Sequence, residues 1–402
     1  MEYEIAVLGG GAAGLAAAVM LRKNGKRAVL CEKGSRVGKK LLSTGSGTCN
    51  LSNRDLSPEH YHSLGGDAVS FVSPALGAFS LAETRAFFAS VGVETEEDDR
   101  GRVYPICRSA GAVLDCLRFS LGDCLTDFEV TEICKQNGGF RVLAADGRSV
   151  TAQKIIVALG GAASPSLGGN AETFRLLAPF GANGTKQTPS VVSLKTDTRF
   201  TRALKGLRVT ARLTLFHNGK ALASSCDELL FTDNGLSGPA ALFVSRPVGV
   251  WEGDKRGKMT LTIDFLPDRD AKSLLSARRS LGRPSSDFLT GLFHRRVGET
   301  LCRAAGIDLS RPLSDADFSR LLSTVTAFPA PVLGTAGLKD AQVTAGGLSL
   351  SSVDPETMEL KTCPGIFVAG EMLDIDGDCG GYNLQWAWSS AHLAAKSAGG
   401  NA

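Results

Sequence analysis

Three glycines and one acid near the N-terminus have the types and spacing of a dinucleotide-binding turn. Gly9, Gly11 and Gly14 follow an apolar run, and Glu32 comes directly after a second apolar run, Ala28–Cys31. Glycines at this spacing allow a tight turn whose backbone N–H groups approach a pyrophosphate at the N-terminus of a helix. A carboxylate about 20 residues further on accepts hydrogen bonds from a ribose. The pattern predicts dinucleotide binding, and the alternative is a glycine-rich turn in a nucleotide-free α/β fold.

Two later apolar segments also end in glycine, and they indicate which dinucleotide to expect. Residues 156–160 end at Gly160, and residues 366–371 contain Gly370 followed by Glu371. A nicotinamide dehydrogenase usually holds its dinucleotide fold in one continuous block. Strands that return this late in the chain suit a longer cofactor lying across the sheet. The arrangement therefore favours FAD over NAD, although ordinary parallel strands are the alternative.

A glycine pair near the C-terminus supplies the second part of the predicted cofactor site. Gly380 and Gly381 precede a predicted helix at residues 383–395. Free N–H groups and the positive dipole end of such a helix stabilise the negative charge that a reduced flavin carries. The alternative is a glycine-rich loop that only caps a C-terminal helix. We predict tightly held, non-covalent FAD from the two glycine segments together.

Residues that could supply a proton or a thiol near this cofactor are few. Tyr104 and Tyr382 lie in the motifs nearest the predicted flavin, so each is a weak candidate for the proton donor. A hydrogen-bonded structural tyrosine is the alternative for both. Cys49 and Cys379 lie in glycine-rich segments but have no second cysteine at short spacing. Packing against the flavin is therefore expected of these two thiols, rather than redox catalysis.

The composition is that of an ordinary soluble protein and disfavours several classes of function. The chain has 402 residues, 43% hydrophobic and 21% charged, and a net charge of +3, which makes nucleic acid an unlikely partner. Ten cysteines are scattered without a CxxC pair, as is typical of a reducing cytoplasm. No stretch is long and apolar enough to predict a membrane span. His60 and His62 lack an accompanying third ligand, so no metal site is predicted.

The elements that must position these residues suggest a discontinuous chain organisation. A βαβ unit at residues 1–33 and glycine-ended strands on both sides of a long insertion imply one nucleotide domain made of two segments. The sequence predicts three domains. The nucleotide domain comprises residues 1–190 and 341–402, the inserted β-rich domain comprises residues 191–266 and 329–340, and the small helical domain comprises residues 267–328. A first strand of the insert is expected at 191–194, and helices of the small domain at 271–281, 287–305 and 315–322.

Longer motifs resemble one known group of flavoproteins. The segments that carry the resemblance run almost from end to end of the chain: GKKLLSTGSGTCNLSN at 38–53, GRVYP at 101–105, FTDNGLSGP at 231–239, VTAGG at 343–347 and GEMLDIDGDCGGYNLQW at 370–386. They are similar to the motifs of the aminoacetone-oxidase-type FAD-binding flavoproteins, a family that includes a bacterial reductase of 3-dehydro bile acids. The last of these motifs is the most specific.

The resemblance implies an α/β fold with a glutathione-reductase-like FAD-binding Rossmann domain, an inserted β-rich domain and a small helical domain. With the glycine segments, it gives the expected cofactor-binding residues: Gly9, Gly11, Ala12, Ala13, Gly14, Glu32, Lys33, Lys40, Leu41, the backbone of Val130, Gly160, Gly370, Glu371, Asn383 and Leu384. The chain departs from the family pattern at Asp233, where many members have histidine, and at residues 168–172. These departures bear on the substrate rather than on FAD.

The expected activity is that of an FAD-dependent oxidoreductase. No second GxGxxG motif follows the first, so NADH or NADPH is expected to bind only transiently as the electron donor. The leading hypothesis is an NAD(P)H-driven reductase of conjugated alkenes in steroid-like, dehydro-bile acid substrates. One alternative is a flavin amine oxidase that acts on a small amine such as aminoacetone. A second, from another class, is an FAD-containing protein that binds or modifies RNA.

Overall fold

The computed structural model describes residues 2–254 and 258–400, and its contact pattern divides the chain into two compact units. The first unit comprises Met1–Thr188 and Gln342–Ala402, and the second comprises Pro189–Ala341. The first unit is thus discontinuous in sequence, and the second is a single insertion between its two segments.

Many short strands and helices make up the described chain, and the site is built from several of them. The strands are β1 Glu2–Leu8, β2 Ala28–Cys31, β3 Ser52–Asn53, β4 Tyr61–His62, β5 Thr95–Glu97, β6 Arg102–Pro105, β7 Asp123–Leu125, β8 Val130–Gln136, β9 Gly139–Ala144, β10 Ser149–Val157, β11 Thr188–Ser190, β12 Leu194–Thr196, β13 Arg208–His217, β14 Lys220–Phe231, β15 Gly235–Ser237, β16 Met259–Asp264, β17 Phe328–Thr335, β18 Val343–Ala345, β19 Ile366–Val368 and β20 Asp376–Gly377. The α-helices are α1 Ala12–Lys23, α2 Ala68–Ala78, α3 Leu81–Ser90, α4 Ala110–Phe119, α5 Thr198–Thr201, α6 Pro239–Phe243, α7 Ser245–Asp254, α8 Ala271–Arg279, α9 Arg295–Ala304, α10 Asp315–Thr326 and α11 Tyr382–Gly399. Short 3-10 helices cover Leu41–Gly47, Pro58–His60, Pro165–Leu167, Thr173–Phe180, Arg202–Leu204, Leu350–Ser352 and Gly370–Met372.

The first unit is built on a mixed sheet that, within the described residues, has seven strands in the order β7-β2-β1-β10-β9-β8, with β19 also paired to β10. Strands β7, β2, β1, β10 and β19 run parallel, whereas β9 and β8 form an antiparallel hairpin. Strand β1 lies between β2 and β10 and is almost fully buried, as an apolar central parallel strand must be. This order places the C-terminal ends of β1, β2, β10 and β19 at one edge of the sheet, where cofactors bind in such folds.

The second unit has a hydrophobic core shared by strands and helices. Among the described residues, β12, β15, β14, β13, β16 and β17 close a barrel. Leu275 of α8, Leu301 of α9 and Leu321 of α10 pack in the same buried cluster as the barrel residues Leu213 and Leu261. The helices expected as a separate small domain at 267–328 therefore lie within the second unit of the structure.

Two predicted elements of the second unit differ from the structure for backbone reasons. The strand expected at 191–194 begins only at Leu194, because Val191 takes a left-handed conformation with φ of 49°. The helix expected at 287–305 begins only at Arg295. Gly291 has φ of 91°, which interrupts a helix, and the His294 side chain accepts a hydrogen bond from the N–H of Arg296 and caps the shortened helix. Among the described residues, no helix has the length and hydropathy of a membrane span.

Candidate functional site

The glycine turn after β1 gives each of its three glycines a different role. A Cβ on Gly9 would lie 2.4 Å from the carbonyl oxygen of Ala158, and a Cβ on Gly14 would lie 1.8 Å from that of Gly9. These two glycines therefore permit the tight turn and the close contact of α1 with it. A Cβ on Gly11 would meet none of the described atoms within 4 Å. The backbone at Gly11 is thus open, as it must be where a pyrophosphate approaches.

The carboxylate of Glu32 is fixed at the side of this turn. Its Oε2 accepts a hydrogen bond from the N–H of Gly10 at 2.7 Å, and its Oε1 accepts one from the N–H of Gly34, also at 2.7 Å. Each carboxylate oxygen keeps a further lone pair, which suits a ribose hydroxyl. The backbone of Glu32 also pairs with Leu125 and Phe128. The Glu32 carboxylate is therefore held beside the glycine turn, and its predicted role as a ribose ligand stays a prediction.

A second group at the same sheet edge joins Lys40 to Glu371, residues separated by most of the chain. Lys40 Nζ donates to Glu371 Oε1 at 2.9 Å and to Oε2 at 2.6 Å. The backbone N–H and hydroxyl of Thr344 both donate to Glu371 Oε1, at 2.9 and 2.8 Å. Gly370 packs against helix α1, because a Cβ there would lie 2.8 Å from the Cβ of Ala13. Glu371 is thus held by protein donors, and Lys40 has its charge balanced within the site.

The C-terminal helix α11 begins beside the GTCNLSN part of the motif at 38–53. Gly381, with φ of 103°, is its N-cap, and a Cβ there would lie 2.3 Å from the carbonyl oxygen of Ser52 and 2.8 Å from Asn50 Oδ1. Asn53 Nδ2 donates to the carbonyl oxygen of Gly380 at 2.9 Å. Only glycine fits this turn, so the N-terminus of α11 keeps its backbone N–H groups open to a ligand.

The residues present fit a bound FAD. Asn50 Oδ1 is buried and lacks a hydrogen-bond partner in the described part of the chain, as expected where a ligand would supply the donor. Gly11 offers an open backbone for the pyrophosphate, Glu32 a carboxylate for the ribose, and the Gly381-capped helix a positive dipole end for the flavin ring. All of these groups belong to the first unit.

The remaining predicted cofactor residues have the following places. Val130 opens β8, two residues after Phe128, whose N–H donates to the Glu32 carbonyl oxygen. Asn383 contacts the preceding loop, since its side chain accepts from the N–H of Gly377 at 2.8 Å and donates to the carbonyl oxygen of Gly377 at 2.7 Å. The side chain of Asn383 thus shapes the loop. Ala12 lies in the first turn of α1, Lys33 in the loop after β2 and Leu41 at the start of the Leu41–Gly47 helix. Gly160 lies in the segment after β10, and Leu384 lies in the first turn of α11.

The two tyrosines differ in how accessible they are. Tyr382 is 6% exposed, its ring stacked on His60 with centroids 4.3 Å apart, and burial raises its pKa. Tyr104 is partly exposed on β6, with the Arg108 guanidinium 4.1 Å above its ring centroid. Burial also raises the pKa of Tyr104, against the charge of Arg102, which lowers it. Strand β6 pairs with β3, whose Asn53 contacts Gly380 of the glycine loop, and Tyr104 keeps a partial exposure that Tyr382 lacks.

The cysteines of the two motifs differ in burial, and Cys49 lacks the environment of a reactive thiol. Cys49 is fully buried, and burial raises the pKa of its thiol to about 12. Cys379 is partly buried. All ten cysteines are free in the structure. A neutral, buried thiol at Cys49 is a packing group, and its predicted contact with the flavin stays a prediction.

His60 and His62 contact the glycine loop, which the sequence does not predict. Both rings hydrogen-bond to Asp378, which lies in the loop before Gly380 and more than 300 residues away in the chain. The histidines fall outside every motif, so only the spatial pairing of β4 with β20 reveals them. Within the described residues, no group of three or more His, Cys, Asp or Glu side chains has the arrangement of a metal site.

Comparison with known proteins agrees with this geometry. A family model described as the HI0933-like protein Rossmann domain matches residues 3–397. The chain belongs to the HI0933-like family. As a member of this family it is an FAD-dependent oxidoreductase with a mixed α/β fold of the FAD-binding Rossmann type.

Three curated relatives are similar to the chain over nearly their whole length. A 3-dehydro-bile acid delta(4,6)-reductase of Clostridium scindens is 33% identical over 410 residues, covering 98% of both chains. A ribosomal RNA dihydrouridine synthase of Escherichia coli is 30% identical, again covering 98% of both. The protein of the same name from Haemophilus influenzae is 28% identical and covers 97% of both. The family is thus shown, and its members carry two different activity names.

Glu32→Ala is expected to weaken FAD binding by roughly one to two decades. A hydrogen bond to a charged group contributes about 1.5–3 kcal/mol, and the variant also frees the N–H groups of Gly10 and Gly34. Titration of the apoprotein with FAD measures the dissociation constant. Glu4→Ala is the matched control, since Glu4 also accepts a backbone N–H, that of Arg27, but away from the glycine turn. Equal FAD affinity in wild type and Glu32→Ala would exclude Glu32 as a ribose ligand.

Proposed function

We propose that this chain reduces a carbon–carbon double bond conjugated to a carbonyl group. The observation that carries the proposal is the full-length similarity to relatives of two names. Removing a delta-4 or delta-6 double bond from a 3-oxo steroid and converting uridine to dihydrouridine are the same reaction in chemical terms. In both, a hydride adds to the β-carbon of a conjugated alkene and a proton adds to the α-carbon. The shared chemistry supports one reaction type for the family site.

The residues of the chain have two roles in this reaction: some hold the cofactor, and another donates a proton to the substrate. When bound and reduced, FAD supplies the hydride. Gly11 and Glu32 would hold its pyrophosphate and ribose, while the N-terminus of α11 at Gly381 would face the flavin ring. We assign the proton donated to the α-carbon to the Tyr104 hydroxyl. Tyr382 instead has a positioning role, because the protein itself buries its ring against His60.

A steroid-like acid is the substrate class we favour, with NADH or NADPH as the electron donor. The bile acid reductase has the highest identity of the three relatives. The Tyr104 hydroxyl stays protonated through neutral and mildly alkaline pH, since its pKa is raised by burial. A phenol that stays protonated can donate its proton to the α-carbon of an enone, because that carbon becomes basic only when the hydride adds to the β-carbon. Asp233, which departs from the family pattern, forms an ion pair with Lys205 in the second unit.

The test is anaerobic and separates the two half-reactions. The purified protein is reduced with NADH or NADPH and then mixed with a 3-oxo-4-ene or 3-oxo-4,6-diene bile acid while the flavin absorbance is followed. Reoxidation by these acids, faster than by simple quinones and accompanied by the saturated product, is the expected result. If the steroid acids leave the flavin reduced while aminoacetone bleaches the oxidised protein, the chain is an amine oxidase and the proposal fails.

Uridine in ribosomal RNA is the second candidate substrate, and two observations favour it. Two of the three relatives carry the RNA-modifying name. The second unit, Pro189–Ala341, also has an excess of Lys and Arg over Asp and Glu, whereas the rest of the chain is acidic. A basic unit suits a phosphate backbone, and its binding weakens steeply with salt. Reoxidation of the reduced protein by ribosomal RNA with formation of dihydrouridine, but not by steroid acids, would decide for RNA.

A further inference from the structure

The loop that leads to the flavin-facing helix contains a carboxylate held by two histidines. Asp378 Oδ2 lies 3.0 Å from His60 Nδ1, and Asp378 Oδ1 lies 2.9 Å from His62 Nε2. The other ring nitrogen of His60, Nε2, lies 3.2 Å from Asp55 Oδ2. The ring of His60 therefore bridges two carboxylates. A neutral imidazole can donate to only one of them, whereas an imidazolium donates to both, so this geometry requires the charged form of His60.

The same ring is in direct contact with the first residue of α11. The His60 ring stacks on the Tyr382 ring with a centroid separation of 4.3 Å and an interplanar angle of 24°. The Tyr61 hydroxyl donates to the Tyr382 carbonyl oxygen at 3.3 Å, and the N–H of Asp378 donates to the His60 carbonyl oxygen at 3.0 Å. Residues 60–62 thus contact both ends of the turn 378–382, at Asp378 and at Tyr382.

Besides Asp378, the turn 378–382 contains the titratable side chains of Cys379 and Tyr382. Asn383 and Asn53 hold the backbone of Gly377 and Gly380 through neutral amides. Ionisable groups facing His60 are Asp55 and Asp378 by hydrogen bonds, Glu59 by charge, and the tyrosines Tyr61 and Tyr382, whose pKa values are raised by burial. His62 faces the same Asp378 carboxylate. His60 and His62 both face the turn through Asp378. Of the two, His60 also bridges to a second carboxylate and stacks on Tyr382, so it is the main group through which pH would act on the turn.

We propose that the imidazolium of His60, clamped between Asp55 and Asp378 and stacked on Tyr382, positions the Gly380–Tyr382 turn for FAD and makes FAD binding pH dependent. His60 is a positioning residue in this proposal, since it acts through the turn. The inference rests on the assignment of the Gly381-capped helix to the flavin. It is tested on FAD binding itself, so it stands or falls independently of the substrate.

The sign of the pH effect follows from linkage. Partial burial lowers the pKa of His60, but hydrogen bonds and charge attraction from Asp378 and Asp55 outweigh burial and raise it above its usual value. In this proposal bound FAD holds these contacts more firmly than the apoprotein does, which requires a higher pKa of His60 in the bound state. FAD binding is then strongest below the pKa of His60 in the apoprotein, and it weakens as pH rises through the pKa of the FAD-bound state.

The experiment measures the FAD dissociation constant of the full-length apoprotein by flavin fluorescence between pH 5.5 and 9. The wild type is expected to lose affinity by about tenfold for each unit by which FAD raises the pKa of His60. His60→Gln should bind FAD more weakly at low pH and show a smaller change with pH than the wild type, since only the contact of His62 with Asp378 remains. The matched control is His217→Gln on β13 of the second unit, which should keep the wild-type profile.

A second variant keeps the test decisive if His60→Gln fails to fold. Asp55→Asn removes one of the two carboxylates that face His60 but leaves Asp378 and the stack on Tyr382 in place. It should move the midpoint of the FAD-binding profile to lower pH, because the charged form of His60 is then less favoured. A flat wild-type profile, or an Asp55→Asn profile identical to that of the wild type, would overturn the proposal.

Discussion

Gly11→Ala is expected to weaken FAD binding by roughly one to two decades while leaving the apoprotein folded. The backbone of Gly11, with φ of −79° and ψ of −169°, is one that alanine adopts without strain. A Cβ at this position meets none of the described atoms within 4 Å, so the protein itself has room for it. The added methyl group would instead occupy the space where the pyrophosphate must approach the N-terminus of α1. Crowding of this kind costs about 1–3 kcal/mol, which corresponds to roughly one to two decades in the FAD dissociation constant.

Gly14→Ala is the control variant for Gly11→Ala, because it is expected to destabilise the protein itself. A Cβ on Gly14 would lie 1.8 Å from the carbonyl oxygen of Gly9, so this variant must distort the turn whether or not FAD is bound. Thermal unfolding of the two apoproteins should therefore show a large loss for Gly14→Ala and a smaller one, about 1 kcal/mol, for Gly11→Ala, because alanine is a poorer N-cap than glycine. Wild-type FAD affinity in Gly11→Ala would show that no pyrophosphate lies at this turn.

The parts of the site that the sequence predicts are those whose geometry is local. Gly9, Gly11 and Gly14 lie within six residues, and their roles follow from the backbone of one turn between a strand and a helix. The glycine pair Gly380 and Gly381 likewise predicts the start of the helix that follows it. In both places the sequence predicts the local turn and the helix that follows, whereas the distant residues that meet it, Ala158 at Gly9 and Ser52 at Gly381, appear only in the structure.

Long-range pairings are the part that could not be predicted from spacing. The Lys40–Glu371 ion pair joins two residues that the sequence assigns separately to the cofactor. Their contact requires the Gly370–Met372 helix, which follows β19, to lie beside the start of the Leu41–Gly47 helix. His60 and His62 meet Asp378 through the pairing of β4 with β20, two strands of two residues each. Strands this short have no periodicity of their own, so nothing in the sequence distinguishes these histidines from surface residues.

Tyr104→Phe is expected to slow reduction of the conjugated alkene by about 10²- to 10⁴-fold, the usual contribution of a positioned acid. The ring remains, so its stacking with Arg108 and the packing of β6 are preserved. Reduction of the flavin by NADH or NADPH and the FAD dissociation constant should both stay near the wild-type values, because neither needs the hydroxyl proton. Stopped-flow traces of the two half-reactions separate these effects within one set of samples.

Tyr382→Phe distinguishes the proton donor from its neighbour at the glycine loop. Tyr382 is buried by the protein and stacked on His60, so loss of its hydroxyl is expected to act on FAD affinity rather than on the proton step. A solvent isotope effect on alkene reduction should then be present in the wild type and in Tyr382→Phe, and altered in Tyr104→Phe. If Tyr382→Phe instead stops alkene reduction while Tyr104→Phe proceeds at the wild-type rate, the proton comes from Tyr382. The packing that buries the Tyr382 ring would then have to open when substrate binds.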